Sequence, residues 1–209
     1  MLSIRNYNKY YGRKLILDIP ECTLQHGIYW IQGVNGSGKS TLLKSIAGIL
    51  SFDGTITYDG LDVKKNMVVF RSVVNFSDAE PLFPEFLSGR ELIGMFEEAK
   101  KAPNGQAQKM IDDLEMGNYL DSTVSSYSSG MLKKLSLLLA FIGTPRLILL
   151  DEPFITIDAA TLEIIYSWIR EANETKSIDF VLSSHQTLDL ELLPSLQKIQ
   201  IIDKKLIFC

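Results

Sequence analysis

The sequence predicts an α/β fold in which helices cover a mostly parallel sheet, with an antiparallel β segment at the N-terminus and an inserted helical segment. Strand patterns dominate the first third of the chain. From Ser128 onward, helix patterns alternate with short apolar strand patterns, which is typical of a parallel sheet. Between these parts, residues 85–126 are richer in charge and show helical periodicity. We therefore expect one domain over residues 1–209, with a core formed by residues 1–84 and 127–209.

The individual elements follow from their periodicity. Apolar residues that alternate, or that form short runs, predict strands, whereas apolar residues at helical spacing predict helices. In the first third, the expected elements are strands at residues 2–7, 15–19, 27–32 and 54–58, and a helix at 40–49. The inserted segment is expected to contain helices at residues 91–100 and 107–114. Beyond it, the expected elements are helices at 130–142 and 159–172, strands at 147–150 and 180–183, and a hairpin within 199–208.

Composition and charge narrow the possible functions. The formal net charge of −4 and the pI near 5.3 disfavour nonspecific binding to nucleic acid, so we expect no nucleic-acid partner. Cys22 and Cys209 have neither CxxC nor metal-ligand spacing, and we expect free thiols in a reducing compartment. The sequence shows no signal-peptide pattern, and no apolar run approaches the roughly 20 residues that span a bilayer. These features predict a cytoplasmic protein.

A glycine-rich loop carries the clearest functional motif. Residues 33–41, which we call the phosphate loop, read G-V-N-G-S-G-K-S-T and match G-x-x-x-x-G-K-[ST] between a predicted strand and a predicted helix. In such a loop, backbone N–H groups and the helix N-terminus surround phosphate oxygens. We expect Lys39 to reach the β- and γ-phosphates, and Ser40 to bind magnesium. The predicted nucleotide-binding residues are Gly33, Asn35, Gly36, Ser37, Gly38, Lys39, Ser40 and Thr41. The competing interpretation is a glycine-rich turn with a chance lysine.

Two acidic residues follow a strand pattern later in the chain. Residues 146–153 read R-L-I-L-L-D-E-P, so the strand delivers Asp151 to its carboxyl end, where ligands bind in open α/β sheets. Asp151 is predicted to hold magnesium through water, and Glu152 is a candidate general base for an attacking water. His185 follows the next strand pattern and is expected at the same edge. The alternatives are an ordinary exposed Asp-Glu turn and a structural histidine.

The order of these motifs resembles a known family. Residues 127–132, Y-S-S-G-M-L, open a predicted helix ahead of the Asp151 strand and are similar to a signature motif, L-S-G-G-Q. Over essentially its whole length, the chain thereby resembles the ATPase subunit, or nucleotide-binding domain, of ATP-binding-cassette (ABC) transporters. The resemblance implies a P-loop NTPase core, with ATP and Mg²⁺ as ligands and ATP hydrolysis as the reaction. The alternative is that Ser128 only caps the helix that follows.

The resemblance also implies roles for individual residues. Tyr11, or its close competitor Tyr10, would stack on adenine, and Asp158 lies in the loop that crosses the dimer interface. Glu152 would polarise the attacking water, and His185 would touch the γ-phosphate as a switch histidine. The residues that would contact the γ-phosphate of ATP bound to a second subunit are Ser128, Ser129 and Gly130. The implied catalytic residues are Lys39, Glu152 and His185.

Three departures from the family pattern bear on these roles. The signature has Ser129 where glycine is usual and Met131 where glutamine is usual. The crossing loop reads F-I-T at residues 154–156, where small or polar residues are usual. A glutamine that contacts magnesium and senses the membrane partner is replaced by Asp78, or by Glu80 in a different register. An acid can still bind Mg²⁺ through water, but the added charge predicts altered magnesium dependence.

The implied mechanism requires two subunits. A homodimer would close on ATP and reopen after hydrolysis, driving transport through separate transmembrane permease subunits at the inner face of the cell membrane. Residues 76–87 are apolar enough to form a groove for a partner helix, or equally to be subdomain core. The first alternative function is a non-transport ABC protein acting on ribosomes or DNA, a class that usually carries two cassettes or a long coiled coil. The second is a P-loop small-molecule kinase, whose arginine-rich lid is not matched by residues 85–124, where Arg90 is the one arginine.

Overall fold

Two β-sheets and six α-helices make up the part of the chain described by the computed structural model, residues 1–185 and 188–208. The strands are β1 (Leu2–Tyr11), β2 (Lys14–Leu24), β3 (Ile28–Gln32), β4 (Asp53–Tyr58), β5 (Leu61–Asp62), β6 (Val74–Ser77), β7 (Leu147–Asp151), β8 (Asp179–Ser183), β9 (Leu196–Ile202) and β10 (Lys205–Phe208). The helices are α1 (Lys39–Ile46), α2 (Met67–Val73), α3 (Gly89–Lys100), α4 (Gln106–Asp113), α5 (Ser129–Phe141) and α6 (Ala159–Lys176).

The strand order confirms the predicted fold class. β1 lies between β2 and β4 in an antiparallel sheet with the order β2-β1-β4-β5. The second sheet has the order β10-β9-β3-β8-β7-β6, and its pairs are parallel except for the β9–β10 hairpin. Parallel strands bring their carboxyl ends to one edge of a sheet. The segments that follow β3, β7 and β8 therefore begin side by side, with Asp151 paired to Ser183.

Strand β7 is covered on both faces. All of its residues are buried. Ile148 and Leu150 belong to the core that includes residues of α5 and α6, whereas Leu147 and Leu149 belong to the core that includes α1 and the N-terminal sheet. A strand buried on both faces appears in the sequence as a continuous apolar run. This explains why the strand that carries Asp151 could be predicted.

The inserted helical segment packs on the helix that follows it. α3 begins with a capping box: Ser88 Oγ accepts from the Glu91 N–H, and the Glu91 carboxylate accepts from the Ser88 N–H. Leu92 of α3 and Ile111 of α4 belong to the same core as Leu138 of α5. The inserted helices are therefore joined to the core through α5, while the boundaries of the insertion remain a prediction.

Two elements between β5 and α3 were not predicted from the sequence. Val68 of α2 is 85% exposed, and Met67 and Val69 are exposed as well, so this short helix has no apolar periodicity to reveal it. β6 is an edge strand of four residues that, within the described part of the chain, pairs only with β7. Strand β1 extends beyond the predicted residues 2–7 toward its hairpin with β2. Strand β2 extends beyond 15–19 mainly at its other end, where residues 21–24 pair with the start of β1.

Two further observations concern membrane-spanning helices and thiols among the described residues. No helix within 1–185 and 188–208 is long and apolar enough to cross a bilayer. Cys22 is buried and free, and burial raises the pKa of its thiol to about 11. It is therefore protonated and unreactive at neutral pH. Cys209 lies outside the described residues.

Candidate functional site

The phosphate loop joins the end of β3 to the start of α1. Gly36 and Gly38 have φ values of +77° and +107°, in the region that favours glycine. A Cβ added to Gly38 would also lie 2.9 Å from Leu17 Cγ on β2. Glycine is therefore required at residue 38 for two reasons, its backbone conformation and the close approach of β2.

Lys39 lies inside this loop. Its side chain is 6% exposed, and Nζ donates to the carbonyl oxygens of Gly33 at 2.8 Å and Val34 at 3.4 Å. Ser37 Oγ is buried and has no hydrogen-bond partner within the described residues. A phosphate oxygen would provide an acceptor for both groups. The other predicted loop residues are exposed or half-buried, namely Asn35, Gly36, Ser40 and Thr41.

Asp151 ends β7 and is fully buried. Its Oδ1 accepts from Ser183 Oγ at 2.5 Å, whereas its Oδ2 has no hydrogen-bond partner in the described part of the chain. A buried carboxylate oxygen without a donor is energetically unfavourable. Water bound to a magnesium ion would supply that donor. The chemistry of Asp151, with the Ser40 hydroxyl at the start of α1, therefore fits a magnesium ion.

Glu152 and His185 form a direct pair beside Asp151. Glu152 Oε2 accepts from the His185 main-chain N–H at 3.2 Å and lies 2.9 Å from His185 Nδ1. The Glu152 side chain is 12% exposed and that of His185 is 46% exposed. Glu152 also has a φ of +43°, and its N–H donates to the Ser183 carbonyl. The structure therefore brings Glu152 and His185, two of the three predicted catalytic residues, to the edge of the sheet where Asp151 lies. The contacts with His185 hold the Glu152 carboxylate in place.

Asp78 lies just beyond β6, at the start of residues 78–80, which we call the β6 loop. Its Oδ2 is 2.8 Å from Lys44 Nζ, and the two side chains are 29% and 30% exposed. Because Lys44 belongs to α1, this ion pair ties the β6 loop to the phosphate-loop helix. The Lys44 ammonium also offsets the negative charge of the Asp78 carboxylate. Glu80 is exposed, and the role of Asp78 toward magnesium remains a prediction.

The signature residues form the beginning of α5. Ser128 is the N-cap of α5, and its Oγ accepts from the Met131 N–H at 3.3 Å. Ser128 therefore caps the helix, as the alternative interpretation of this residue predicted. Ser128 and Ser129 are exposed and accessible to a second molecule. A Cβ added to Gly130 would lie 2.9 Å from the main-chain oxygen of Thr156. Gly130 is therefore needed for packing within the chain, a reason that the sequence did not provide.

The crossing loop, residues 154–158, has two notable features. Thr156 has a φ of +63°, which is unfavourable for a β-branched residue. Asp158 is the N-cap of α6, where it accepts from Thr161 N–H at 2.8 Å and from Thr161 Oγ1 at 3.0 Å. These donors, with Lys134 at 3.3 Å, lower the pKa of Asp158 to about 2. Asp158 thus has a structural role that the sequence prediction did not include.

The candidate adenine-stacking residues lie at the end of β1. Tyr10 is 46% exposed and Tyr11 is 50% exposed, so either ring is accessible to a base. The Lys9 ammonium lies 5.0 Å from the centre of the Tyr11 ring. The choice between the two tyrosines remains open.

Three residues of the site were missed by the sequence prediction: Ser183, Lys44 and Lys133. Ser183 could have been found, because two adjacent parallel strands that end at the same edge place their last residues together. Lys44 and Lys133 contact residues that are distant in sequence, and no motif marks those contacts.

The sequence model of the ABC transporter family matches residues 18–155, which is more than half of the chain. The chain belongs to the ABC transporter family. It therefore contains an ABC ATPase domain, as the motifs predicted. The matched range includes the phosphate loop, the signature and the Asp151-Glu152 pair, whereas Tyr11, Asp158 and His185 lie outside it.

Curated members of the ABC family share modest identity over most of this chain. It is 28% identical over 194 residues to the ABC transporter ATP-binding protein YtrB of Bacillus subtilis (strain 168), covering 91% of this chain and 65% of YtrB. It is 26% identical over 189 residues to the Fe(3+) ions import ATP-binding protein FbpC of Mannheimia succiniciproducens, covering 88% of this chain and 54% of FbpC. It is 28% identical over 182 residues to ABC transporter A family member 1 of Dictyostelium discoideum, covering 85% and 20%. The chain thus spans less than two thirds of the length of these relatives.

Solved ABC structures have the same fold. A structure described as the ATP-binding subunit of an ABC transporter has a TM-score of 0.85 at 20% identity, covering 98% of this chain and 87% of that one. A dimeric ATP-binding cassette in a post-hydrolysis state, bound to ADP and Pi, has a TM-score of 0.81 at 21% identity, covering 98% and 96%. These likenesses confirm the fold predicted for the ABC ATPase domain.

Proposed function

We propose that this chain binds ATP with magnesium, hydrolyses ATP, and drives an ABC transporter through separate transmembrane permease subunits. The observation that carries the proposal is the meeting of three features at one edge of the sheet. These are the phosphate loop around buried Lys39, the Oδ2 of Asp151, which has no hydrogen-bond partner among the described residues, and the Glu152–His185 pair. Each one provides a part that hydrolysis of a triphosphate requires.

Binding would begin with an exchange of acceptors around Lys39. Its ammonium now bonds the carbonyl oxygens of Gly33 and Val34, and phosphate oxygens are stronger acceptors because they are charged. Ser40 and Asp151 would hold the magnesium ion, the latter through water. When bound, the ion neutralises negative charge on the β- and γ-phosphates.

Glu152 would act as the general base that accepts a proton from the attacking water. His185 orients the carboxylate through the contacts at Oε2. General-base catalysis typically contributes about 10²–10⁴ in rate. The histidine is also exposed enough to reach the γ-phosphate of a bound nucleotide.

The proposed active unit is a homodimer in which each ATP lies between the phosphate loop of one subunit and the signature of the other. The exposure of Ser128 and Ser129 supports this, because these residues are free to meet a second molecule. The similar cassette that was solved as a dimer with ADP and Pi supports dimerisation. Closing on ATP and reopening after hydrolysis would provide the mechanical step.

A permease surface is supported by the apolar segment at residues 76–87. Leu82 is 95% exposed and Phe86 is 79% exposed, whereas Phe83 and Leu87 pack against the core. Phe83 and Leu87 thus belong to the subdomain core, and the exposure of Leu82 and Phe86 supports the role as a groove for a partner helix. We infer that Leu82 and Phe86 contact a helix of the membrane partner at the inner face of the cell membrane. YtrB and FbpC carry names of transporter ATP-binding proteins, which supports transport over a ribosomal or DNA role.

The test is ATP hydrolysis by the purified chain, wild type against Glu152→Gln, with Glu174→Gln as the control. Glu174 is an exposed acid on α6, so the Glu174→Gln variant should hydrolyse ATP at the wild-type rate. Glu152→Gln should lower kcat by about 10²-fold or more, because the base is lost while its shape is kept. Equal rates for all three proteins would contradict the assignment of Glu152, and the absence of any magnesium-dependent hydrolysis in the wild type would contradict the proposed function.

A further inference from the structure

Lys133 is a buried lysine on α5 to which the proposed function assigns no role. Its side chain is 1% exposed. Nζ donates to three main-chain carbonyl oxygens: Asp78 at 2.9 Å, Asp151 at 3.0 Å and Ala79 at 3.5 Å. An ammonium has three N–H donors. Each donor therefore has an acceptor, and the acceptors belong to two segments that are far apart in sequence.

An ammonium in this position is unfavourable to bury. Burial lowers the pKa of Lys133 to about 8, against the opposing influence of the charges of Asp151, Asp78 and Glu152. An apolar side chain would avoid the cost of burying the charge, but it would leave the three carbonyl oxygens without this donor. Packing alone therefore does not account for a lysine here, and the three carbonyls that it holds are the remaining explanation.

Lys133 continues a row of polar contacts between α5 and β6. Residues 133, 136 and 140 lie at helical spacing on one face of α5. Ser136 Oγ bonds Ser77 Oγ at 2.8 Å, and the Ala140 carbonyl accepts from Asn75 Nδ2 at 2.8 Å. These two contacts fix the strand itself. Of the three, Lys133 is the one that reaches past the end of β6 to the β6 loop and across to the metal strand β7.

We propose that Lys133 is a positioning residue that fixes, from the signature helix, the main chain of the β6 loop at residues 78–79 and of the metal strand at Asp151. The proposal rests on the proposed function, because that function assigns magnesium binding to the segments that contain Asp78 and Asp151. Lys133 follows the exposed signature residues by little more than one helical turn. A movement of α5 when the signature meets the partner's ATP would therefore be passed to the metal site of the same chain. The Lys133 amine would thus connect the signature, which meets the ATP of the partner subunit, with the metal site at Asp151, which serves the ATP of its own chain.

The test compares Lys133→Met and Lys133→Gln with Lys100→Met. Lys100 is a matched control, because its Nζ also donates to main-chain carbonyls, those of Arg71 and Val74, and burial lowers its pKa too. Amide hydrogen exchange is measured on the nucleotide-free proteins. Steady-state ATP hydrolysis is measured well below the unfolding temperature of each variant.

In Lys133→Met, we expect exchange of the hydrogen-bonded amides at residues 76–77 of β6 and 149–152 at the end of β7 to be about tenfold faster, because the charged donor that fixes the ends of both strands is lost. We expect kcat to fall about tenfold while KM for ATP changes less than about twofold, since the phosphate loop is untouched. Lys133→Gln keeps N–H donors and should recover part of both effects. Lys100→Met should accelerate exchange only near residues 71–75 and leave kcat unchanged.

Two results would overturn the proposal. The first is exchange in Lys133→Met that matches the wild type, or that rises equally throughout the chain as in a general loss of stability. The second is a kcat equal to that of the wild type. If the wild type hydrolyses no ATP, the proposed function fails by itself, and the exchange comparison still decides whether Lys133 holds the two segments.

Discussion

Replacing Gly130 by alanine would test how tightly the crossing loop packs on the signature. The new Cβ would lie 2.9 Å from the main-chain oxygen of Thr156, so the loop backbone must move. The φ of Thr156 is +63°, a conformation that costs an L-residue about 1–2 kcal/mol and leaves the loop little freedom to adjust. Overpacking costs about 1–3 kcal/mol, whereas alanine gains at most about 1 kcal/mol of helix propensity over glycine. We therefore expect Gly130→Ala to lower the free energy of unfolding by up to about 2 kcal/mol.

Gly94→Ala is the matched control for this substitution. Gly94 lies within α3, and a Cβ added there would meet no atom within 4 Å. It should therefore raise the free energy of unfolding by about 0.5–1 kcal/mol. The assay is urea unfolding of the nucleotide-free proteins, in which the two variants should shift the midpoint in opposite directions. If Gly130→Ala proves as stable as the wild type while Gly94→Ala shows its gain, the close approach to Thr156 is not limiting and the reasoning is refuted.

Other substitutions address the metal site and the crossing loop. Ser183→Ala removes the donor to Asp151 Oδ1, and we expect the magnesium concentration for half-maximal hydrolysis to rise about tenfold; an unchanged magnesium titration would contradict this. Asp78→Gln removes an acid and the ion pair with Lys44, so the magnesium concentration for half-maximal hydrolysis should rise about threefold. Magnesium titrations that coincide for the variant and the wild type would contradict this. Asp158→Ala removes the N-cap of α6 and should lower the free energy of unfolding by about 1 kcal/mol at neutral pH. Because the pKa of Asp158 is lowered from 3.8 to about 2, its contribution is complete above pH 3.8 and is lost as the pH falls toward 2. Urea unfolding across that window should show the difference from wild type shrinking, and a constant difference would count against it.

The fold could be predicted where burial leaves a pattern in the sequence. Strand β7 is buried on both faces and reads as a continuous apolar run, and α1 shows its buried residues at helical spacing. α2 and β6 could not be predicted in the same way. α2 exposes Val68 to solvent, and β6 is a short edge strand whose place depends on pairing with β7. These two elements are defined by their neighbours and not by their own composition.

The residues of the site also differ in whether the sequence could predict them. Lys39, Asp151 and Glu152 were predicted because each adjoins a strand end or a glycine-rich loop whose chemistry is local. Lys133 was not, because its acceptors are main-chain carbonyls, which every residue possesses and which leave no trace in the sequence. The pairing of Asp78 with Lys44 was missed because it depends on how α1 lies against the end of β6. The second role of Gly130, against Thr156, likewise appears only once the crossing loop has a position.

The central claim is that each ATP is enclosed between two copies of this chain, and light scattering of Glu152→Gln with ATP and magnesium tests it most directly. Blocked hydrolysis should trap the closed state, so the mass should rise from 23.5 kDa for the nucleotide-free chain to about twice that value. The same variant carrying Lys39→Ala should remain a monomer, because its phosphate loop has lost the buried cation. A mass that stays at 23.5 kDa for Glu152→Gln, with ATP binding demonstrated in the same sample, would contradict the account.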